Sequence, residues 1–151
     1  MNDHEHYMRE CLVLARKALE RGNPPVGSLI VQNGKVIGLG IESGKEKKDI
    51  TYHAEIEALR DAVRNTGQKD LSDCTLYTSH EPCIMCSYVI RHHRVKTVVM
   101  GSTVPSIGGA SSNYPILTAH DIDIWPSPPE VIDGVLTKEC EDLTAEFKRS
   151  I

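Results

Sequence analysis

No run of about eighteen apolar residues occurs in the 151-residue sequence, so no segment reads as a membrane-spanning helix. The stretch Met1–Leu12 is charged where a secretory signal peptide would need an apolar core, which makes a cytoplasmic protein the expectation. Linkers, internal repeats and low-complexity tracts are missing as well, and residues 1–151 read as a single domain. The five cysteines are odd in number, which with no secretory signal argues against a disulfide framework and for metal or core roles. Basic residues are what the C-terminal third lacks. From Gly101 onward three of them (Lys138, Lys148, Arg149) face eight acidic residues, within a formal net charge of −4. A surface built to grip phosphates should be basic, since counterion release supplies most nucleic-acid affinity. A small-molecule substrate is therefore expected, and a nucleic-acid partner is not.

What is present is ordinary for a globular α/β chain, with 40% hydrophobic and 25% charged residues. Met8, Cys11, Leu12, Ala15, Ala18 and Leu19 recur at helical spacing and predict a helix over 4–21, stopped by Gly22. Val26–Val31 and Val36–Ile41 are β-rich runs around Asn33-Gly34, a tight-hairpin signal. Residues 42–52 read as a loop and 54–66 as a helix. A strand is expected at 74–78, and Pro82 would open a helix over 83–92 from its first turn. Another strand is expected at 95–100, a Gly- and Ser-rich loop at 101–114 and one helical turn at 115–119. A strand over 121–125 and a largely helical tail over 128–149 complete the reading. Interleaved strands and helices predict a layered α/β sheet sandwich.

Chemistry concentrates in His53-Ala54-Glu55 and Pro82-Cys83-Ile84-Met85-Cys86. Imidazole and thiolate are preferred zinc ligands, and two cysteines three apart at a helix start can face one ion. The helix N-terminus favours the thiolate form they need. His53, Cys83 and Cys86 make three protein ligands, the catalytic count, since the fourth tetrahedral position stays open for water. Such an ion lowers the pKa of a bound water to about 7. Glu55 then reads as the group that takes a proton and delivers it to a ring nitrogen and the departing amine. A structural zinc would instead need a fourth ligand, which Cys74 or His80 could supply. The combined His-x-Glu and Pro-Cys-x-x-Cys pattern, thirty positions apart, is the recognised signature of zinc deaminases.

On these residues the sequence resembles the cytidine/deoxycytidylate deaminase superfamily, in the branch of tRNA adenosine deaminases, guanine deaminases and fungal cytosine deaminase. The resemblance also takes in Pro25-Val26-Gly27, Ile56-Glu57-Ala58-Leu59, Thr75-Leu76-Tyr77-Thr78, Glu81, Gly134-Val135-Leu136 and Glu139-Cys140. It implies a three-layer α/β/α cytidine-deaminase-like fold with a central mixed sheet of about five strands, one zinc ion per subunit, and a homodimer. By the same resemblance Val26 and Ala54 line the base pocket, and the backbone around Glu81 meets the substrate amino group.

Two departures from that branch bear on substrate. An asparagine is usual after the second strand, and here the position is Glu42. An ionised carboxylate only accepts hydrogen bonds, so Glu42 would suit rings presenting N–H and amino donors. The loop from Ser102 to Leu117 carries no Lys or Arg, unlike that of relatives acting on tRNA, and its glycines would let it close over a small substrate. The expected activity is hydrolytic deamination of a small nucleobase-like heterocycle of guanine, isocytosine or cytosine type, breaking a cyclic amidine C–N bond and releasing ammonia. The alternative is a tRNA adenosine deaminase forming inosine. Phe147 and Trp125, each the sole residue of its kind, could sit in the core or near a neighbouring subunit's pocket.

Overall fold

The computed structural model describes residues 3–151, and its elements follow the hydrophobic periodicities closely in the first two-thirds of the chain. Helix α1 (Asp3–Glu20) ends at Gly22, whose φ of 84° is the left-handed turn expected there. Strands β1 (Gly27–Gln32) and β2 (Lys35–Ile41) form a hairpin across Asn33-Gly34, with φ of 51° and 75°, the pattern of a type I′ turn. The polar stretch after β2 is not wholly irregular, because Gly44–Lys47 winds into one helical turn, α2. Helix α3 (Ala54–Thr66), β3 (Cys74–His80), α4 (Ile84–His92) and β4 (Thr97–Ser102) follow. Pro82 lies just ahead of α4, whose N-cap is Cys83, and not inside its first turn.

The expectations for the last third need correction. Residues 121–125 form no strand, and the tail is not helical from 128. Pro126, Pro128 and Pro129 deny the backbone the N–H groups a helix needs there. Glu130–Ile132 instead forms β5, a parallel neighbour of β4, and the last helix α5 spans Thr137–Arg149.

The five strands make one mixed sheet in the order β2-β1-β3-β4-β5, antiparallel across β2-β1-β3 and parallel across β3-β4-β5. Alternation along each strand splits the core in two. Ile30, Leu76 and Val98 face α3 and α4 with Leu59, Ala62 and Ile90. Leu29, Tyr77 and Val99 face α1 and α5 with Met8, Cys11 and Cys140. This is the expected three-layer α/β/α arrangement.

Two glycines set where α3 lies. A Cβ on Gly40 would collide with the carbonyl oxygen of Ala54, and one on Gly38 with that of Ala58. The helix therefore rests directly on the β2 backbone, with His53 as its N-cap and Glu55 in its first turn. Replacing Gly40 with Val should cost about 1–3 kcal/mol as overpacking. It should also lower retained zinc, because α3 must lift at the end that holds a ligand. Thermal unfolding and metal content check this, and a variant with wild-type values of both would refute it.

Candidate active site

Two helix starts, those of α3 and α4, deliver the metal ligands. His53 is the N-cap of α3, Cys83 the N-cap of α4, and Cys86 sits one turn into α4. The Nδ1 atom of His53 lies 3.3 Å from Cys86 Sγ and 3.5 Å from Cys83 Sγ. These three ligand atoms lie within 4.8 Å of one another, and no other His, Cys, Asp or Glu of the described residues joins them. Cys74 is buried in the α3–α4 core, and His80 pairs through Nδ1 with Ser102 Oγ at 3.3 Å. Neither completes a closed four-ligand site. The fourth position is left to a non-protein ligand, as a catalytic zinc requires.

The donor set is electrostatically prepared for a metal. A hydrogen bond from Cys86 stabilises the Cys83 thiolate against burial, with His53 adding to it, and lowers its pKa to about 4. The hydrogen bond to Cys83 likewise raises His53 to about 9, against burial. The Cys86 thiol is pushed up by its bond to Cys83 and by burial. Without metal the site thus holds one thiolate, one imidazolium and one thiol. One soft anionic ligand is ready, and two protons must leave when an ion binds.

Glu55 is in the first turn of α3 and 3% exposed, and burial raises its pKa to about 7 despite a hydrogen bond from its own N–H and the nearby His53 charge. Glu42 is also buried in the cleft wall, and burial again raises its pKa. Its Oε2 accepts the Gly44 N–H at 3.2 Å, and the Ala54 N–H is a second donor to the carboxylate.

These residues border a cleft of about 810 Å³. Of the residues singled out in the sequence, Val26, Glu42, His53, Glu55, Glu81 and Cys83 line it, whereas Ala54 and Cys86 are buried behind its wall. The cleft is also lined by His80, which the sequence offered only as a structural-zinc ligand, by Ser102 and Phe147, and by Thr144 and Lys148, which the sequence reading did not place there. Phe147 was a visible signal as the sole Phe, but nothing local told a cleft wall from a core position.

The loop after β4 is a fixed wall and not a hinged cover. The Glu81 side chain accepts hydrogen bonds from the N–H groups of Val104 (2.6 Å), Ala110 (2.9 Å) and Ser111 (2.7 Å) and from the Ser111 hydroxyl (2.5 Å). Burial opposes the Glu81 charge, but these donors outweigh it and hold the pKa below the usual carboxylate value. Gly108 bridges to Cys83, and the Gly109 N–H donates to the Pro82 carbonyl. With its carboxylate so engaged, Glu81 has only its backbone to offer a substrate.

Residues 1–102 match the family model of the cytidine and deoxycytidylate deaminase zinc-binding region. A tRNA-specific adenosine deaminase of Aquifex aeolicus is 39% identical over 150 residues, covering 97% of this chain and 95% of that protein. One from Streptococcus pyogenes is 33% identical over 149 residues, covering 99% and 92%. Among solved structures, one from a study of A-to-I editing by tRNA:A34 deaminases at the wobble position of transfer RNA superposes with a TM-score of 0.84 and 32% identity. It covers 91% of this chain and 98% of that one. These relatives overturn two expectations, the small nucleobase substrate of guanine, isocytosine or cytosine type and the absence of a nucleic-acid partner.

The physical reason lies in reading charge by segment and not by surface. Of the acidic residues in the C-terminal third, Glu146 is paired with Arg16 and Asp142 with Lys138, while Glu141 and Lys148 both line the cleft. No helix of the described residues is long and apolar enough to cross a membrane. With its family signature, its zinc-ligand cluster and its full-length relatives in agreement, the chain belongs to the zinc-binding cytidine and deoxycytidylate deaminase family.

Proposed function

We propose that the protein hydrolytically deaminates adenosine in transfer RNA to inosine. The observation that carries this reading is the full-length similarity to tRNA-specific adenosine deaminases, 39% identical in the Aquifex aeolicus relative. A tRNA substrate also agrees with the expectation of a cytoplasmic protein.

His53, Cys83 and Cys86 would hold a zinc ion, which when bound would supply a water activated at neutral pH. Glu55 shares the cleft with two of those ligands, and its pKa of about 7 suits a group that both accepts and returns a proton. It would take one proton from the water as the water oxygen bonds to the amino-bearing carbon, and pass it to the adjacent ring nitrogen; it would then take the second proton from the new hydroxyl and give it to the amine, as the C–N bond breaks and the carbonyl forms. Ammonia leaves, and the base becomes hypoxanthine. The Glu81 backbone borders the cleft and is the group assigned to the amine, while Val26 packs against the base and the buried Ala54 backs the pocket.

Glu42 takes a different part from the one its charge suggests. Beyond its amino group adenine presents ring-nitrogen acceptors, and a carboxylate would repel them. A carboxyl carrying a proton would donate instead; burial raises the Glu42 pKa toward that form, while His53 and the N–H groups of Gly44 and Ala54 lower it. Glu42→Gln, which keeps a donor, should hold kcat/KM within a few-fold of wild type. Glu42→Leu should lower it by roughly tenfold or more, the cost of one lost hydrogen bond. Equal kinetics for the two variants would remove Glu42 from base recognition.

The reading is tested by incubating the zinc-loaded protein with a tRNA bearing adenosine at the first anticodon position and quantifying inosine after digestion. Inosine at that position alone supports it. Ammonia release from free bases with the tRNA untouched overturns it.

A further inference from the structure

Strands β3 and β4 end side by side at the cleft, where His80 lies in register with Ser102. The sheet holds both residues firmly. The Glu81 N–H donates to the Ser102 carbonyl at 2.9 Å, and the His80 carbonyl accepts the Thr78 hydroxyl at 3.0 Å. Nδ1 of His80 is 3.3 Å from Ser102 Oγ, and the same Oγ is 3.3 Å from the Ser79 carbonyl oxygen. Both side chains line the cleft together with Glu55 and Cys83. No hydrogen bond among the described residues engages Nε2 of His80. Every buried side-chain nitrogen or oxygen of these residues has a partner, so Nε2 is an accessible atom on the cleft wall.

A hydroxyl carries one proton. Given to the Ser79 carbonyl, it leaves Ser102 Oγ to accept from Nδ1–H, and Nε2 then presents a lone pair. Burial, against the pull of the Glu81 charge, holds the His80 pKa below the ordinary imidazole value and keeps the ring neutral. Unlike the carboxylates of Glu42 and Glu55, this is an uncharged acceptor. An adenosine in an RNA strand offers few donors to such an atom. Its amino group is the leaving group, its ring nitrogens accept, and its phosphates are ionised acceptors. The ribose 2′-hydroxyl remains, a donor that DNA lacks.

We propose that His80 is a specificity-determining residue whose Nε2 accepts a hydrogen bond from the 2′-hydroxyl of the target adenosine, and that Ser102 is the positioning residue that fixes its tautomer. The inference rests on the RNA-editing reading and names the group by which that site tells RNA from DNA.

Two anticodon stem-loops test this, differing only in adenosine or 2′-deoxyadenosine at the target position. Deamination of both is measured for wild type, His80→Leu, His80→Gln and Ser102→Ala, with zinc content and Tm to confirm folding. Wild type should lose roughly tenfold or more in kcat/KM on the deoxy substrate, because the hydrogen bond goes and Nε2 is left unpaired. His80→Leu should treat the two substrates alike. His80→Gln, whose amide oxygen accepts, should keep part of the preference. Ser102→Ala, which frees the tautomer, should reduce the preference while zinc content and Tm hold. Each variant is read as the ratio of its two rates, so a general loss of activity cancels. Where turnover of His80→Leu is too slow to follow, the ratio of its two dissociation constants is read instead. A wild type that edits both stem-loops equally, or a preference kept in full by His80→Leu, overturns the role of His80 and leaves the RNA-editing reading standing. A full preference in Ser102→Ala removes the positioning role of Ser102. A wild type that forms no inosine in the all-RNA stem-loop overturns the RNA-editing reading and this inference with it.

Discussion

Replacing Glu55 with Ala should lower kcat about 10²–10⁴-fold while the protein keeps its zinc, because the carboxylate moves protons and is not among the three ligand residues. The residue is almost wholly buried, so few waters can stand in for it. Its proton affinity also predicts a pH dependence. Burial raises the pKa to about 7 in the metal-free protein, so the carboxyl is protonated below that pH and ionised above it. A dication beside it favours the ionised form and draws the value down. The acidic limb of the wild-type rate profile should therefore lie at or below pH 7, with activity falling as pH drops through it. Glu55→Ala should lose that limb together with the rate. A variant within tenfold of wild type, or an acidic limb above pH 7, would take the proton-transfer role away from Glu55.

Cys86→Ala should release the metal and abolish activity. Two donors remain, one of them an imidazole that is protonated without metal, and two are too few to close a tetrahedral zinc site. The loss should extend to stability. His53 and Cys83 cap α3 and α4, and the ion ties those two helix starts together. Zinc–ligand free energies reach about 10–16 kcal/mol in small peptides whose folding depends on the ion. A chain with a core on both sheet faces should lose only part of that, read as a lower Tm. Cys74→Ala is the matched control, since Cys74 lies in the α3–α4 core and should keep its zinc. Zinc uptake must expel protons from His53 and Cys86, so affinity should fall as the pH is lowered. Full metal retention in Cys86→Ala after dialysis would contradict the ligand assignment.

The parts legible in the sequence were those fixed by local rules. The helix period of Met8, Cys11 and Ala15, the Asn33-Gly34 turn and the His53 and Cys83-x-x-Cys86 motifs each act over a few residues, and each is found in place. The last third was harder to read for a physical reason. Glu130–Ile132 is three residues long and is a strand because β4 offers it a parallel edge, which no local pattern reveals. The Gly-rich loop suggested motion, but the Glu81 carboxylate gathers its N–H groups from residues twenty-three to thirty positions away. Substrate suffered most from reading along the chain. Charge summed over the C-terminal third gave an acidic total, which does not show how Lys148 and Glu141 of that third are both placed on the cleft.

The most direct test of zinc-dependent deamination of tRNA adenosine is to follow ammonia and inosine together, using wobble-adenosine tRNA with zinc-loaded, zinc-stripped and zinc-restored protein. The account predicts equal amounts of ammonia and inosine from the loaded enzyme, neither from the stripped enzyme, and both again on restoring zinc. Inosine formed equally well without zinc, or ammonia released only from free bases, would contradict it.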